Sequence, residues 1–404
     1  MAVVLEAVAP DDAIAAYEAR RGKLTPTFSW EDLFGAEHAN QLTVAKSAGF
    51  DILKDIDDAM VRALTEGRTL QQFSKELIPV LQAKGWWGRK LVTDPLTGEE
   101  RPATLGTPRR LETIFNTNLR VSYAAGHWAS FVRNKATRPY LRYVCVLDER
   151  TRPAHRVRHN LVLPVDHPYW NAWAPPCGWN CRCTLQALSE RDILRLQREG
   201  EALNFTPPED TYRDYVNKRT GEVVRVPDGI DPGWAYNPGR AGYEAATNTK
   251  IAEAIIGAPP QFVTAAVEDR LSSSAFASFV TRPEGSMPVM PVTAELAAAL
   301  KMEQPTVALL SAETMLKQIR NHPEMTVEDY RLLATFPETA SLVVSDSGST
   351  IVLFRLQDGR WLHAVLKATK SRKAAWLTSY RYTGADRIER LLERPGVEIV
   401  VDRR

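Results

Sequence analysis

RRLETIFNTNLRVSYAAGHWASFVRN at 109–134, followed five residues later by YLRYVCVL at 140–147, decides the fold class. In the first stretch Leu111, Ile114, Phe115, Leu119 and Tyr123 recur at helical spacing. The opposite face carries Arg109, Arg110, Asn116, Asn118 and Arg120, a set suited to an exposed or interdomain surface. The second stretch alternates loosely and is rich in aromatic and β-branched residues, which predicts a strand. Helices and strands thus occupy separate stretches rather than alternating regularly, and the class expected is α+β.

Upstream, Ile52, Leu53, Ile56, Met60, Ala63 and Leu64 form another helical stripe, with Gly67 as its stop. Thr69 and Gln72 have the spacing of a capping box, and Leu70, Phe73, Leu77 and Leu81 follow on one face. Pro79 is expected to kink this helix or end it early. Downstream, 148–188 is irregular and dense in Pro, Trp, His and Cys, and Ser189 caps a short helix that stops at Gly200.

Residues 205–240 hold five Pro and four Gly, which reads as a loop-rich connector. Alanine-rich helices follow to about 280, and TRPEGSMPVMPV at 281–292 reads as an extended linker. The last hundred residues give two helices (from Ser311, and over 327–336), four strands (340–346, 350–357, 360–370 and 375–383) and a closing helix from Gly384. Asp358-Gly359 predicts a tight hairpin between the second and third strands. The expected organisation is therefore a mainly helical domain with a short strand-and-loop region over 1–204, a helical and Pro-rich connector over 205–300, and a small domain of helices plus a four-stranded antiparallel sheet over 301–404.

The chain has 404 residues and a net charge of +2, and 44% of it is hydrophobic, enough for more than one core. Charge is uneven. Residues 101–160 hold twelve Lys/Arg against three Asp/Glu, and 360–390 hold eight against two. Such blocks suit a phosphate backbone, a partner's acidic surface or a solvated face. No apolar run is long enough to span a membrane, and the first residues lack the cationic start and apolar run of a signal peptide. No phosphate-binding loop, dinucleotide fingerprint, H-E-x-x-H or G-x-S-x-G occurs, which disfavours large classes of nucleotide- and zinc-dependent enzyme.

Two constellations carry chemistry. Cys177, Cys181 and Cys183 lie within seven positions, with His155 and His159 upstream. His155, Cys181 and Cys183 have the ligand types of a structural zinc site. Without a metal, the cysteines would be small buried hydrophobes, and His155 and Asp148 would tie the loop by hydrogen bonds. The second constellation is C-terminal. His322, Lys367, Thr378 and Tyr380 are candidate catalytic residues for metal-independent RNA cleavage, which needs a base, an acid and a cation at the phosphate. His363 and Arg381 are candidate substrate-binding residues, with Lys370 and Ser379 nearby. The alternative is a basic sheet that binds without chemistry. Trp86, Trp87, Trp170, Trp173 and Trp179 read as core or interface anchors.

Several separated blocks resemble the Mu F-like phage minor head proteins. They are W-E-D-L-F-G-A-E-H-A-N at 30–40, V-A-K at 44–46, G-W-W-G at 85–88, R-R-L-E-T-I-F-N-T-N-L-R at 109–120, L-D-E-R-T-R-P-A-H at 147–155, P-P-C-G-W-N-C-R-C at 175–183 and D-P-G-W-A-Y-N-P-G at 231–239. Cys177 stands where that pattern has Asn. The resemblance implies a head-morphogenesis domain, phage portal and prohead proteins as partners, a role in capsid assembly with phage DNA packaged or ejected nearby, and residence in the virion and, during assembly, the host cytoplasm. The last hundred residues are similar to phage-borne barnase/EndoU/colicin/RelE-like nuclease modules through L-S-A-E-T at 310–314, K-Q-I-R-N-H-P-E at 317–324, Asp329-Tyr330, V-L-K at 365–367 and L-T-S-Y-R at 377–381. That second resemblance implies RNA as a substrate. It leaves two alternatives open: an ejected nuclease effector whose N-terminal part is a packaging domain, or a virion protein that binds nucleic acid without cutting it.

Overall fold

The computed structural model describes residues 10–21, 24–39, 41–47, 49–255, 258–281, 283, 285–346, 350–369, 372 and 374–404. They fall into two compact units that divide between Ala246 and Thr247. The class is α+β. The stretch read as a connector, 205–300, contributes its first part to one unit and the rest to the other.

The first unit opens with α1 (Asp11–Glu18), two short 3-10 turns at Trp30–Asp32 and Gly35–Ala39, α2 (Phe50–Thr65) and α3 (Leu70–Ala83). The stripe from Ile52 to Leu64 is buried in α2, and Phe73, Leu77 and Leu81 are buried in α3. Thr69 and Gln72 close the expected capping box. Pro79 does not end α3, which runs on to Ala83. A proline inside a helix costs about 3 kcal/mol, and burying Leu77 and Leu81 beside it returns about 3–6 kcal/mol.

A hairpin of β1 (Arg89–Thr93) and β2 (Glu100–Thr104) leads into α4 (Pro108–Asn134), which Thr107 caps by accepting from the Arg110 amide. One end of α4 packs with α2 and α3 through Leu111, Ile114 and Phe115. The other end packs through Trp128 and Phe131 on a small sheet. That sheet is built from β3 (Tyr140–Val144), then, after α5 (Pro153–Arg156), β4 (Val162–Pro164), and, after α6 (Trp170–Trp173), β5 (Thr184–Leu188). Its order is β4-β3-β5, all antiparallel. The unit continues through α7 (Glu190–Arg198), the hairpin β6 (Tyr212–Val216) and β7 (Val223–Pro227), and the first part of α8 (Pro238–Ile255). Trp86, Trp170 and Trp173 are core residues.

Much of the basic block at 101–160 is tied up inside this unit. Arg101 pairs with Asp94, Arg138 with Asp192, Arg152 with Asp231 and Arg158 with Asp210. Arg110 donates to the carbonyls of Thr104 and Leu105 and lies over the Trp86 ring.

The second unit holds α9 (Pro260–Ser272), α10 (Ser274–Thr281), β8 (Ser286–Val292), α11 (Ala294–Ala299), β9 (Thr306–Ser311), α12 (Ala312–Asn321), α13 (Val327–Arg331), α14 (Phe336–Thr339), β10 (Leu342–Asp346), β11 (Thr350–Gln357), β12 (Arg360–Ala368), β13 (Ala375–Thr383), α15 (Ala385–Leu392) and β14 (Val397–Asp402). The sheet is not four-stranded. It has seven strands in the order β14-β10-β11-β12-β13-β9-β8, with β13 and β9 parallel and the other pairs antiparallel. The four expected strands form its middle. Three strands were missed, β8, β9 and β14, and two of them have an identifiable cause. The prolines of β8 made it read as a linker, yet its last six residues are buried, and its pairing with β9 shifts register between Pro288 and Met290. Prolines are accommodated there because β8 is an edge strand. The second edge, β14, is half-exposed and lacks a long apolar run.

Asp358 and Gly359 both adopt positive φ, +48° and +75°, and join β11 to β12. That pair of angles is the one a two-residue I′ turn needs. The central strands alternate, with one irregularity in β13 at Thr378 that puts Leu377 and Tyr380 on one face. Val343, Ile351, Leu353, Leu362, Ala364, Leu366, Leu377 and Tyr380 face the main core. Leu342, Val344, Val352 and Phe354 face the other way, against Ile388 of α15.

Candidate functional site

The irregular loops of the first unit are organised by partly buried ion pairs. The Asp231 carboxylate accepts from the Trp179 amide at 2.8 Å and from Arg152 Nη2 at 2.8 Å. Arg152 Nη2 also donates to the Trp179 carbonyl at 3.1 Å, and the Asp231 amide donates to the Cys177 carbonyl at 3.2 Å. The turn at 177–181 is therefore gripped from both sides. Gly178 fits because it has no side chain: a Cβ there would lie 2.3 Å from Arg152 Nη1 and 2.4 Å from an Asp231 oxygen. Immediately after the turn, Arg182 Nη1 and Nη2 both donate to Asp148, at 2.7 and 2.5 Å. Arg182 holds the Asp148 carboxyl well below the usual range. The Pro175–Pro176 bond leading into the turn is cis.

This frame brings His155, Cys181 and Cys183 together, with ligand atoms all within 4.8 Å of one another. His155 Nδ1 lies 3.7 Å from each sulfur. His155 Nε2 meets the Gly229 carbonyl at 3.0 Å. Cys145 of the β3–α5 connection joins them, its sulfur 3.5 Å from Cys183 Sγ and 3.2 Å from the His155 carbonyl, to which it donates. His159 faces elsewhere, accepting the Cys145 amide on Nδ1 at 3.1 Å. Cys177 is fully buried, and burial pushes its thiol well above the ordinary range. Hydrogen bonding with Cys183, together with burial, pushes Cys181 up to about 12; hydrogen bonding with Cys145 raises Cys183 to about 11. Burial and hydrogen bonding thus favour the protonated form of Cys177, Cys181 and Cys183, whereas the hydrogen bond from Cys183 shifts Cys145 downward. A cleft of about 430 Å³ opens beside them, lined by Arg109, Arg120, Arg150 and Glu112 among others.

Two of the other blocks singled out in the sequence pack on this turn through Trp179, and two more are tied to each other. Trp30 stacks on Phe34 and meets Trp179 edge-on, and Trp179 in turn meets Trp234. Trp86 Nε1 donates to the Lys46 carbonyl at 2.7 Å. Asp231 and Gly229 were not candidates from the sequence. The signal for Asp231 was the D-P-G-W block, whose carboxylate had no visible partner on paper.

In the second unit, three of the six sequence-named residues converge. His363 of β12 faces Arg381 of β13 directly in register. Burial lowers the His363 pKa to about 4, and Arg381, Arg387 and His322 add to the effect. His322 caps α12 and lies 3.3 Å from Glu324. Among the described residues, His363 Nδ1 and Arg381 Nε are buried and have no hydrogen-bond partner. The His363 ring stacks on Phe354 at 5.7 Å.

The other three named residues are placed elsewhere. Tyr380 is on the opposite, core face, fully buried, its hydroxyl donating to the Asp329 carbonyl at 2.7 Å. Thr378 sits at the irregularity between β12 and β13 and donates to the Val365 carbonyl at 3.3 Å. Lys367 shares a face with His363 but is exposed and, four residues along the strand, about 13 Å away. Lys370 lies outside the described residues. Glu324 and Arg387 were not anticipated; both lie in charged helical stretches that look like ordinary solvated faces.

Residues 54–186 match the family described as Phage Mu protein F like protein. The chain is 36% identical over 247 residues to the "Putative capsid assembly protein F" of Escherichia phage Mu, covering 58% of this chain and 55% of that protein. It is 34% identical over 230 residues to the "Mu-like prophage FluMu F protein" of Haemophilus influenzae, covering 54% of each. The chain spans about half the length of these curated relatives. No solved structure matches it. The matched span includes Asp148, Arg152, His155, Cys181 and Cys183 and stops short of Gly229 and Asp231.

Two outcomes follow from the geometry. Gly178→Ala, which forces Arg152 and Asp231 apart, lowers the unfolding free energy of the first unit by about 2 kcal/mol in urea titrations followed by tryptophan fluorescence. An unchanged midpoint contradicts the clamp. His363, neutral in the fold down to about pH 4, favours folding above its unfolded pKa of about 6.5, and that contribution is lost as pH falls toward 4. Histidine-selective NMR shows two imidazoles titrating near pH 4, those of His38 and His363, of which one disappears in His363→Gln; a midpoint near 6.5 for the resonance that is lost contradicts the buried placement.

Proposed function

We propose that this chain is a phage capsid assembly protein, working in the head with portal and prohead proteins while DNA is packaged or ejected. The observation that carries the proposal is the Mu F-like match over 54–186, together with relatives whose names include a capsid assembly protein. The matched span is the part of the first unit that holds the α2–α4 core and the clamped Cys/His turn. Among the described residues no helix is long and apolar enough to cross a membrane, which agrees with assembly in a head rather than insertion in a bilayer. Mass spectrometry of purified proheads and virions from a host carrying the encoding phage finds the protein in few copies per particle. Its absence from both overturns the reading.

A second reading concerns the second unit, and a specific observation favours it: two histidines and two arginines from four elements meet where His363 Nδ1 and Arg381 Nε have no partner. We infer a metal-independent ribonuclease. His363, neutral at pH 7, takes the ribose 2′-hydroxyl proton. His322, beside Glu324, returns a proton to the leaving 5′-oxygen, and Arg381 and Arg387 hold the phosphate. Tyr380 has no free hydroxyl for chemistry, and Lys367 is too distant from His363 to share its phosphate. The full chain cleaves RNA in EDTA. His363→Gln and His322→Gln each lose about 100-fold or more, whereas Lys367→Ala keeps most activity. No cleavage between pH 5 and 9, or cleavage indifferent to His363→Gln, overturns this reading; RNA retained without scission identifies a binding module instead.

A further inference from the structure

We propose that the first unit binds one thiophilic divalent metal ion of the zinc class, held by His155 Nδ1, Cys181 Sγ and Cys183 Sγ, with Cys145 as the fourth ligand. The inference is independent of the capsid and ribonuclease readings.

The spacing supports it. A tetrahedral zinc site with sulfur at about 2.3 Å and nitrogen at about 2.0 Å has ligand-to-ligand edges of about 3.5–3.8 Å. His155 Nδ1 stands 3.7 Å from both Cys181 and Cys183. Those are the edges of a coordination polyhedron, longer than a good hydrogen bond to nitrogen needs.

The imidazole is oriented for the task. The Gly229 carbonyl, 3.0 Å from Nε2, can only accept a hydrogen bond, so Nε2 carries the hydrogen. In the neutral ring this leaves the lone pair on Nδ1, which faces the sulfurs. A carbonyl or carboxylate behind the non-ligating nitrogen is the usual support of a metal-bound histidine.

Two further groups stand where a metal would use them. Tyr143 is fully buried, and its hydroxyl stands against the sulfurs of Cys177 and Cys183. Metal-bound thiolates accept hydrogen bonds far better than thiols do, so coordination gives this hydroxyl an acceptor. Cys145 Sγ is 3.5 Å from Cys183 Sγ and at present donates to the His155 carbonyl. A turn about its Cα–Cβ bond frees it to coordinate. The result is a closed Cys₃His site, the structural rather than the catalytic kind.

Function follows from position. The three assigned ligands and Cys145 come from the two ends of a loop that runs from β3 to β5. A metal there fixes irregular backbone that has little regular structure of its own, and adds to the ionic clamp at Asp231.

The test uses the full-length chain, purified under reducing conditions from cells supplied with zinc. Elemental analysis finds one zinc per chain after gel filtration. Cobalt exchanged into the site gives a tetrahedral d–d spectrum and charge-transfer absorption of three thiolates. Cys145→Ser drops this to two thiolates, Cys181→Ser and Cys183→Ser lose most of the metal, and Cys177→Ala leaves the spectrum intact. Because the metal content and cobalt spectrum are read on the unaltered protein, a variant that fails to fold does not decide the matter. A two-thiolate cobalt spectrum indifferent to Cys145→Ser overturns the fourth ligand. A chain that holds no zinc, and whose cysteines all react freely with a thiol reagent in the native state, overturns the site.

Discussion

The Asp231 carboxylate, reaching from a loop after β7 to the turn at 177–181, is the contact on which the first unit's centre depends. It satisfies the Trp179 amide and pairs with Arg152, which also donates to the Trp179 carbonyl. Charge-assisted hydrogen bonds of this kind are roughly twice as strong as neutral ones. They are needed because the turn has little regular structure to hold it. Once the turn is set, Arg182 meets Asp148, and Cys181 and Cys183 meet His155. Each of those contacts joins residues more than twenty positions apart. The order of dependence is therefore clear: the ionic frame comes first, the sulfur–imidazole cluster second, and any chemistry at the cluster third.

The same logic explains where the positive charge went. The block at 101–160 invites a nucleic-acid reading, but most of its arginines serve as internal ties. They anchor loops to carbonyls and carboxylates that a helix or sheet would otherwise have satisfied. Arg158 is the extreme case, buried with Asp210, the Ala154 carbonyl and the Tyr169 hydroxyl around it and the Trp173 ring 3.2 Å away. Among the described residues, Arg109 lines the cleft beside the cysteines without an ion pair, whereas Arg150 of the same cleft pairs with Asp148. In the second unit the balance differs: Arg381 is partly buried without full satisfaction, which is the condition expected of a side chain that awaits an anion.

Periodicity carried most of the local structure. The helical stripe at Ile52–Leu64, the first members of the next one at Leu111, Ile114 and Phe115, the Thr69–Gln72 capping box and the Asp358-Gly359 turn all state local preferences, and these survive folding, whereas Tyr123, read as part of the second stripe, is exposed. The misses share a cause. Strand β8 is proline-rich and was read as linker, because whether prolines can be tolerated depends on which strand stands at the sheet edge, a property of the whole sheet. Pro79 failed as a helix stop for a similar reason, since tertiary burial of Leu77 and Leu81 overrode it. At the candidate sites, residue type was legible and partnership was not. His155, Cys181 and Cys183 could be named from their chemistry, and His322, His363 and Arg381 likewise. Tyr380 could not be separated from them until the face it occupies was known, because one irregularity in the β12–β13 pairing decides how Thr378 is used. Asp231 and Gly229 stayed invisible because their roles exist only across the fold.

The central claim is that the Asp231–Arg152–Trp179 frame, and not local chain preference, fixes the turn that presents the cysteines. Hydrogen exchange measured by mass spectrometry on the full chain and on Asp231→Asn addresses it most directly. The account predicts that amides of 177–184 lose protection in the variant while α4 at 108–134 keeps it. Unchanged exchange across 177–184, or an equal loss throughout the unit, would contradict it.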